Sequence, residues 1–420
     1  MKIAVIGGGI AGLSSAYYLS KHHQVTLFEA NNYLGGHTDT HEIRVAGEIY
    51  DIDTGFIVFN QQNYPNFSRL LDELQVESKP TEMSFSASNV LTGLEYNATD
   101  LNRLFCQRRN ILSPRFYRML WDLVRFYRQA PQLLDSDDDN LTIGEYLSNN
   151  GYSDVFIDDH LMPMACALWS GPGVTIREFP ARYFISFMHN HNMLNLSDRP
   201  QWRVVSHGSK RYVDKLISQC KAKFHTAAVV QGISRDANGV TVRFNGESQR
   251  FDKVVIATHS DQALRLLDKP SKAEIEILGA IGYQQNDMLL HSDKQVLPRK
   301  KSAWASWNVR VCPELANQCT VNYHMNTLQG IDAPLEFIVS LNSNHLVEPA
   351  KVFLGRRYAH PIFNAATLAA QKRWDELAGN EHTFYCGAYW GWGFHEDGVN
   401  SALRVIETLQ QQTQDVSNVA

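Results

Sequence analysis

Three glycines open the chemistry of this chain. Gly7, Gly9 and Gly12 stand in G-x-G-x-x-G spacing directly after the apolar run Ile3-Ala4-Val5-Ile6. A segment with helical apolar spacing (Ile10, Leu13, Ala16, Tyr17) follows, then a second strand-like run, Gln24 to Phe28, ending in Glu29. Such a turn can bind a dinucleotide. Gly7 permits the tight strand-to-helix turn, Gly9 leaves room for a pyrophosphate against the backbone, and Gly12 lets helix and strand pack closely. The helix start, with Ile10 and Ala11, offers unpaired N–H groups to the anion. Glu29 ends the second strand, where a carboxylate accepts ribose hydroxyls. Glycines at this spacing also serve plain tight turns; the strand before, the helix after and the acid together favour the nucleotide.

Two further glycine-rich stretches could approach the same ligand. In Glu29-Ala30 to Gly35-Gly36-His37, the paired glycines let backbone N–H groups reach a diphosphate, and His37 can add a donor or a partial charge. Phe384 to Ala402 contains Gly387, Trp392, Phe394, Gly398 and Val399, and a helix follows to about Gln411. No metal site is expected. The six cysteines, Cys106, Cys166, Cys220, Cys312, Cys319 and Cys386, form no C-x-x-C pair, and free thiols in a reducing cytosol are the economical reading. His189 and His191, two apart, do not share a helix face, and no carboxylate stands at metal-site spacing. A proton-transfer role is open to either, with His189 a candidate catalytic residue beside Phe394 and Trp392.

The chain has 420 residues, a net charge of −5 and no long apolar run. Two lobes, no nucleic-acid partner, no membrane span and a cytoplasmic location follow as expectations. A single lysine precedes the first strand, so no secretory signal is expected.

These motifs resemble the flavin-containing amine oxidase and phytoene desaturase superfamily. Its pattern is a glutamate, a short spacer, then Leu-Gly-Gly and a basic residue, here Leu34-Gly35-Gly36-His37 in place of the usual arginine. More narrowly, the chain resembles a bacterial subgroup of NAD/FAD-binding oxidoreductases often encoded beside cyclopropane-fatty-acid-synthase-type methyltransferases. The resemblance implies an α/β fold: a Rossmann-like FAD-binding lobe of glutathione-reductase type in its amine oxidase variant, with a mixed α+β substrate lobe. It implies non-covalent FAD. Thr54, Gly55 and Phe56 would run past the flavin, Val230 would bracket the adenine, and Ala257 would end a second strand approaching the phosphates. Gly387 would pass the ribityl region, and a helix starting near Gly398-Val399 would point at the flavin ring. The FAD lobe would comprise residues 1–60, 201–270 and 381–420, and the substrate lobe 61–200 and 271–380.

The resemblance also implies the reaction: removal of hydride from a C–H bond of a hydrophobic, fatty-acyl or lipid-like substrate, with O2 or another acceptor reoxidising the flavin. The alternatives are an amine oxidase and a non-redox flavoprotein, an isomerase or a lipid-binding protein. Amine oxidases carry a lysine in the first strand of the substrate sheet, and Tyr283 to Leu290 contains none. They also have tyrosine where this chain has Phe394.

Residues 61–200 read as mostly helical, with strands returning at 287–291, 303–309, 320–325 and 337–341. Ser113-Pro114 opens a helix to Gln129 whose arginines (Arg115, Arg118, Arg125) fall on one stripe with Asp122, opposite Phe116, Leu120, Leu123 and Tyr127. An ordinary solvated face is the commoner reading of such a stripe. The other is a peripheral contact through residues 103–128 at the inner membrane surface. His160 to Ser170 reads as a Met-rich helix leading to a Gly171-Pro172-Gly173 loop.

Overall fold

The computed structural model describes residues 1–419 apart from 137, 170–175, 196–198 and 312–319, and for 415–419 the backbone alone. Ser170, the Gly171–Gly173 loop, Cys312 and Cys319 therefore lie outside the described residues.

The apolar run at the start becomes strand β1 (Lys2–Ile6), followed by helix α1 (Ile10–Leu19) and strand β2 (Gln24–Phe28). Strands β3 (Lys223–His225), β4 (Lys253–Ile256) and β5 (Thr383–Tyr385) complete a parallel sheet of order β3-β2-β1-β4-β5. A central parallel strand is covered on both faces, which explains why Ile3, Ala4, Val5 and Ile6 are an uninterrupted apolar run, each at most 3% exposed. Each fully buried Ile or Val here contributes roughly 1.5–3 kcal/mol. Helix α2 (His395–Val419) lies against α1, and its Val399, Val405 and Leu409 share one core with Ile3, Val5 and Leu13. An antiparallel three-stranded sheet, Val230–Asp236, Gly239–Phe244 and Glu247–Phe251, inserts between β3 and β4.

A seven-stranded sheet stands apart from this one. Its order is Val352–Pro361, Tyr283–His291, Ile338–Leu341, Thr320–His324, Trp307–Val311, Phe85–Asn89, Leu94–Asn97. Two of these strands fall in the region expected to be helical. Phe85–Asn89 pairs in parallel with Trp307–Val311, more than two hundred residues away, so nothing local announces it. Helices, including Pro114–Gln129 and Ala181–Asn190, pack around Phe156, Phe184 and Phe187 as a second core.

The Pro114–Gln129 helix starts as expected, with the Ser113 hydroxyl accepting from the Phe116 N–H and proline in the first turn. Its arginine stripe is not wholly solvated. Asp122 is completely buried, ion-pairs with Arg118 and Arg125 and accepts from Ser153, so part of the charged stripe turns inward. Tyr117 and Trp121 take the outer face instead.

Candidate active site

Two glycine turns interlock at the carboxyl end of β1. Gly7 has φ +105°, and a Cβ there would sit 2.9 Å from the Ala257 carbonyl oxygen, so only glycine fits. A Cβ on Gly12 would lie 1.9 Å from the Gly7 oxygen, which is how closely α1 rides on β1. The Gly35 N–H donates to the Gly8 oxygen at 2.8 Å, and Gly36 comes so near that its Cβ would be 2.9 Å from the Gly9 Cα. Gly9 itself is different. It caps α1 in ordinary extended backbone (φ −78°), and a Cβ there would meet nothing within 4 Å. Its free face opens into a cavity of about 1650 Å3. That exceeds the ~300–1,000 Å3 of a drug-sized site and leaves room for a dinucleotide with a substrate beside it.

Gly7, Gly9, Ile10, Ala11, Glu29, Ala30, Gly35, Gly36, Val230 and Ala257 all line this cavity. Gly12 does not; it serves the packing of helix on strand. Glu29 is buried at the end of β2, where Oε2 accepts from the Gly8 N–H at 2.7 Å and Oε1 from Asn31. These bonds leave lone pairs on both oxygens for ribose hydroxyls.

Next along the cavity lie His37, Thr54, Gly55, Phe56, Gly387 and His395. The chain makes a close crossing here: the Phe56 N–H donates to the His37 oxygen at 2.8 Å, and a Gly55 Cβ would be 1.9 Å from that oxygen. The Phe56 ring stacks on His395, whose Nε2 meets the Thr38 and Tyr212 hydroxyls at 3.0 and 2.9 Å. Burial, with His360 and His259 close by, lowers the His37 pKa to about 3. The ring is therefore neutral in the ligand-free chain. Its Nε2 is a buried polar atom without a partner, available as a hydrogen-bonding group. Burial likewise lowers His360 to about 4, and Asn286 holds its Nδ1 at 2.8 Å.

The other half of the cavity belongs to the second lobe. Met83, Phe85, Met164, Leu168, Trp169 and Leu341 line it, with Phe187, Trp392 and Phe394. Among the described residues no lysine lines the cavity, and its only carboxylates are Glu29, in the glycine cradle, and Asp261, paired with Arg265. Phe394 stacks face to face on Phe187, with centroids 5.1 Å apart, so one face of Phe394 is already covered.

Two expectations about this region are corrected. His189 is exposed and does not reach the cavity; His191 does. The Ala181–Asn190 helix ends between them, and the chain turns His191 inward. There Nδ1 donates to the Phe187 oxygen at 3.0 Å, leaving Nε2 as the acceptor, and burial lowers the pKa to about 4. Nor does the last helix start near Gly398. The Asp397 carboxylate accepts from the Trp392 and Phe394 N–H groups and winds the chain early, so α2 begins at His395. Gly398 packs on Ile10, where a Cβ would be 2.7 Å from Cγ2, Val399 is fully buried, and neither lines the cavity. Burial pushes Asp397 up to about 7.

The described cysteines stay clear of the cavity; burial pushes the nearby Cys386 thiol up to about 12. No group of side chains suited to a metal occurs among the described residues, and no helix there is long and apolar enough to cross a membrane.

A parallel sheet with a glycine cradle at its carboxyl edge, sharing one cavity with a separate apolar lobe, defines a dinucleotide-binding protein of the flavoprotein type. The sequence model for flavin containing amine oxidoreductase matches residues 10–289. The chain belongs to that family, a class of flavin-dependent oxidoreductases whose cofactor is FAD. Solved structures show the same fold. A putative protoporphyrinogen oxidase from Exiguobacterium sp. 255-15 is 16% identical with a TM-score of 0.69, covering 98% of this chain and 99% of that one. A CLA-producing fatty acid isomerase from P. acnes is 15% identical (TM-score 0.67, 96% and 98% covered). Cyclohexylamine oxidase from Brevibacterium oxydans IH-35A is 16% identical (TM-score 0.68, 97% and 99%). A curated relative, carotenoid phi-ring synthase of Chlorobaculum tepidum, is 26% identical over 204 residues, 44% of this chain but only 30% of the relative's length.

Proposed function

We propose that the protein is an FAD-dependent oxidoreductase that takes hydride from a C–H bond of a hydrophobic, acyl-chain substrate. The carrying observation is the second half of the cavity, lined by Met, Leu, Phe and Trp with no carboxylate or lysine of its own among the described residues. An ammonium substrate would lack a counter-charge there, and an apolar chain needs none. The stacking of Phe187 on Phe394 also closes one side of any aromatic cage.

The residues of this chain fit FAD in an extended pose. Gly9, Ile10, Ala11, Gly35 and Gly36 would hold the diphosphate, Glu29 the ribose and Val230 the adenine. His37, Thr54, Gly55, Phe56 and Gly387 would surround the ring end. Bound there, FAD supplies the hydride acceptor, and O2 or another acceptor restores it. Phe394 and Trp392 would orient the chain and exclude water. Oxidation of a CH–CH unit to an alkene also releases a proton, and His191, on the cavity wall with Nδ1 donating to Phe187, would be only a weak acceptor for it, because burial lowers its pKa to about 4. Residues 1–60, 201–270 and 381–420 would form the FAD lobe, and 61–200 with 271–380 the substrate lobe.

The stretch 103–128, with its neighbours Leu91 and Leu101, fits peripheral contact with an anionic membrane. Leu91, Leu101, Leu112, Tyr117 and Trp121 are exposed there. Of the seven arginines in residues 103–128, Arg103 pairs with Asp100 and Glu82, Arg115 with Asp159, and Arg118 and Arg125 with Asp122, which leaves Arg108, Arg109 and Arg128 without an acid among the described residues. Apolar tips ringed by cations suit an anionic bilayer surface.

Anaerobic mixing of the FAD-loaded protein with long-chain fatty acids tests the main reading. Bleaching of the flavin absorbance by acyl substrates and not by alkylamines is expected. Fast bleaching by amines, with peroxide formed on admitting air, would make it an amine oxidase. Turnover of the acyl chain without net bleaching would make it an isomerase, the activity named for the P. acnes neighbour.

A further inference from the structure

Among the described residues four arginines line the cavity: Arg199, Arg265, Arg356 and Arg357. Three are neutralised, Arg265 by Asp261 at 2.8 Å, Arg356 by Asp39 at 3.4 Å and Arg357 by Asp287 at 2.8 Å. Arg199 is not: among the described residues it meets the Asn195 carbonyl oxygen, 3.3 Å from Nε, and the Tyr127 hydroxyl, but no carboxylate. It is exposed, so it stands at the cavity's mouth, on the apolar side with Trp202 and Met193.

We infer that Arg199, with Tyr127 beside it, binds the carboxylate head of an acyl-chain substrate whose tail runs inward past Met164 and Phe187 toward Phe394. This rests on the acyl reading above and adds to it which end of the substrate enters last. The chemistry matches on both sides. Guanidinium presents a planar fork of N–H donors that fits the two oxygens of a carboxylate. The Tyr127 hydroxyl, accepting from Arg199, keeps its own proton to donate to the same head group. Burial raises the Tyr127 pKa, which holds that proton in place across the physiological range. A cation at the rim of an apolar cavity also keeps the acid ionised and in water, so only the chain is desolvated.

The test is calorimetric titration of the FAD-loaded protein with dodecanoate and with dodecan-1-ol, which share a chain and differ in the head. Dodecanoate should bind about tenfold tighter, the equivalent of one charge-assisted hydrogen bond. Arg199→Gln should erase that gap and leave dodecanol affinity unchanged. Arg199→Lys should restore part of it, and Tyr127→Phe should lose part of it. Equal affinity of the two probes for the unmodified protein would overturn the anchor while leaving the apolar chain site standing. So would an Arg199→Gln variant that weakens both probes alike. Binding of neither probe would overturn the acyl reading and the anchor with it.

Discussion

Replacing Gly9 by alanine separates the cofactor's claim on the cradle from the fold's claim. The backbone at Gly9 is extended, with φ −78° and ψ −178°, which any L-residue adopts. A Cβ meets nothing within 4 Å in the ligand-free chain. Gly→Ala lowers the unfolded chain's entropy, worth ~0.4–1 kcal/mol, and weakens a helix N-cap by up to about 1 kcal/mol, so the two effects largely offset. The apoprotein should thus keep its stability to within about 1 kcal/mol. The bound state is another matter, because the methyl would occupy the face offered to the pyrophosphate. Loss of two N–H···phosphate bonds at ~1.5–3 kcal/mol each predicts a Kd for FAD weaker by about 10^2–10^4. Gly12→Ala is the contrasting variant. Its Cβ would lie 1.9 Å from the Gly7 oxygen, where ordinary contact is about 3.5 Å, so α1 must lift from β1 at a cost of about 3 kcal/mol or more. It should lower the melting temperature before any flavin is added. The assay is quenching of FAD fluorescence on titration with apoprotein, alongside melting curves of both variants. A Gly9→Ala protein that binds FAD within threefold of the parent would refute the placement of the diphosphate.

Two other outcomes follow from the same structure. His360 has a folded pKa of about 4, below its unfolded value near 6.5, so between these values the unfolded chain holds the extra proton and stability falls as pH falls. His360→Asn should flatten the apoprotein's stability slope between pH 4 and 6.5 by up to one proton, ~1.4 kcal/mol per pH unit, in urea melts; an unchanged slope would show that His360 is not held neutral. Asp53 and Asp397, both pushed up to about 7 by burial, act in the opposite sense over the same range, which is why the parent-minus-variant difference is the quantity to compare. At the surface, the protein should sediment with phosphatidylglycerol vesicles at low salt and not with phosphatidylcholine vesicles, and Leu112→Asp with Trp121→Ala should release it. A parent protein that stays in the supernatant with both lipids would remove the membrane from its function.

What was legible in the sequence was what is encoded locally. The first turn needs glycine at Gly7 and Gly12 for the fold and at Gly9 for its ligand, and its strand and helix adjoin it, so β1, α1 and β2 could be read directly. Gly35-Gly36 and Glu29 belong to the same short stretch. Features set by distant pairing were harder to see. The Phe85–Asn89 strand, with serines at 86 and 88, looks like a loop until Trp307–Val311 is laid beside it. The start of α2 moved to His395 because one carboxylate, Asp397, caps backwards onto Trp392 and Phe394, a bond that spacing alone does not require. His189 and His191 are equivalent by composition, and only the end of a helix decides which of them faces the cavity. Arg199 gave no signal in its own stretch, since what distinguishes it is that the three other cavity arginines pair with acids and it meets none among the described residues.

The order of the parallel sheet has a consequence for how the protein comes into being. Strands β1 and β2 are made at residues 2–28, yet β4 and β5, which complete that side of the sheet, come from residues 253–256 and 383–385. During synthesis at ~5–20 residues per second, the glycine turn waits many seconds for the neighbours that bury β1 and for α2, which seals α1. Throughout that interval an apolar strand edge is open to wrong pairing. The cradle becomes complete only after Gly387 and His395 have been added, so flavin capture is a late event. It then stabilises the folded state in proportion to free FAD, and flavin supply during expression should govern yield as well as activity.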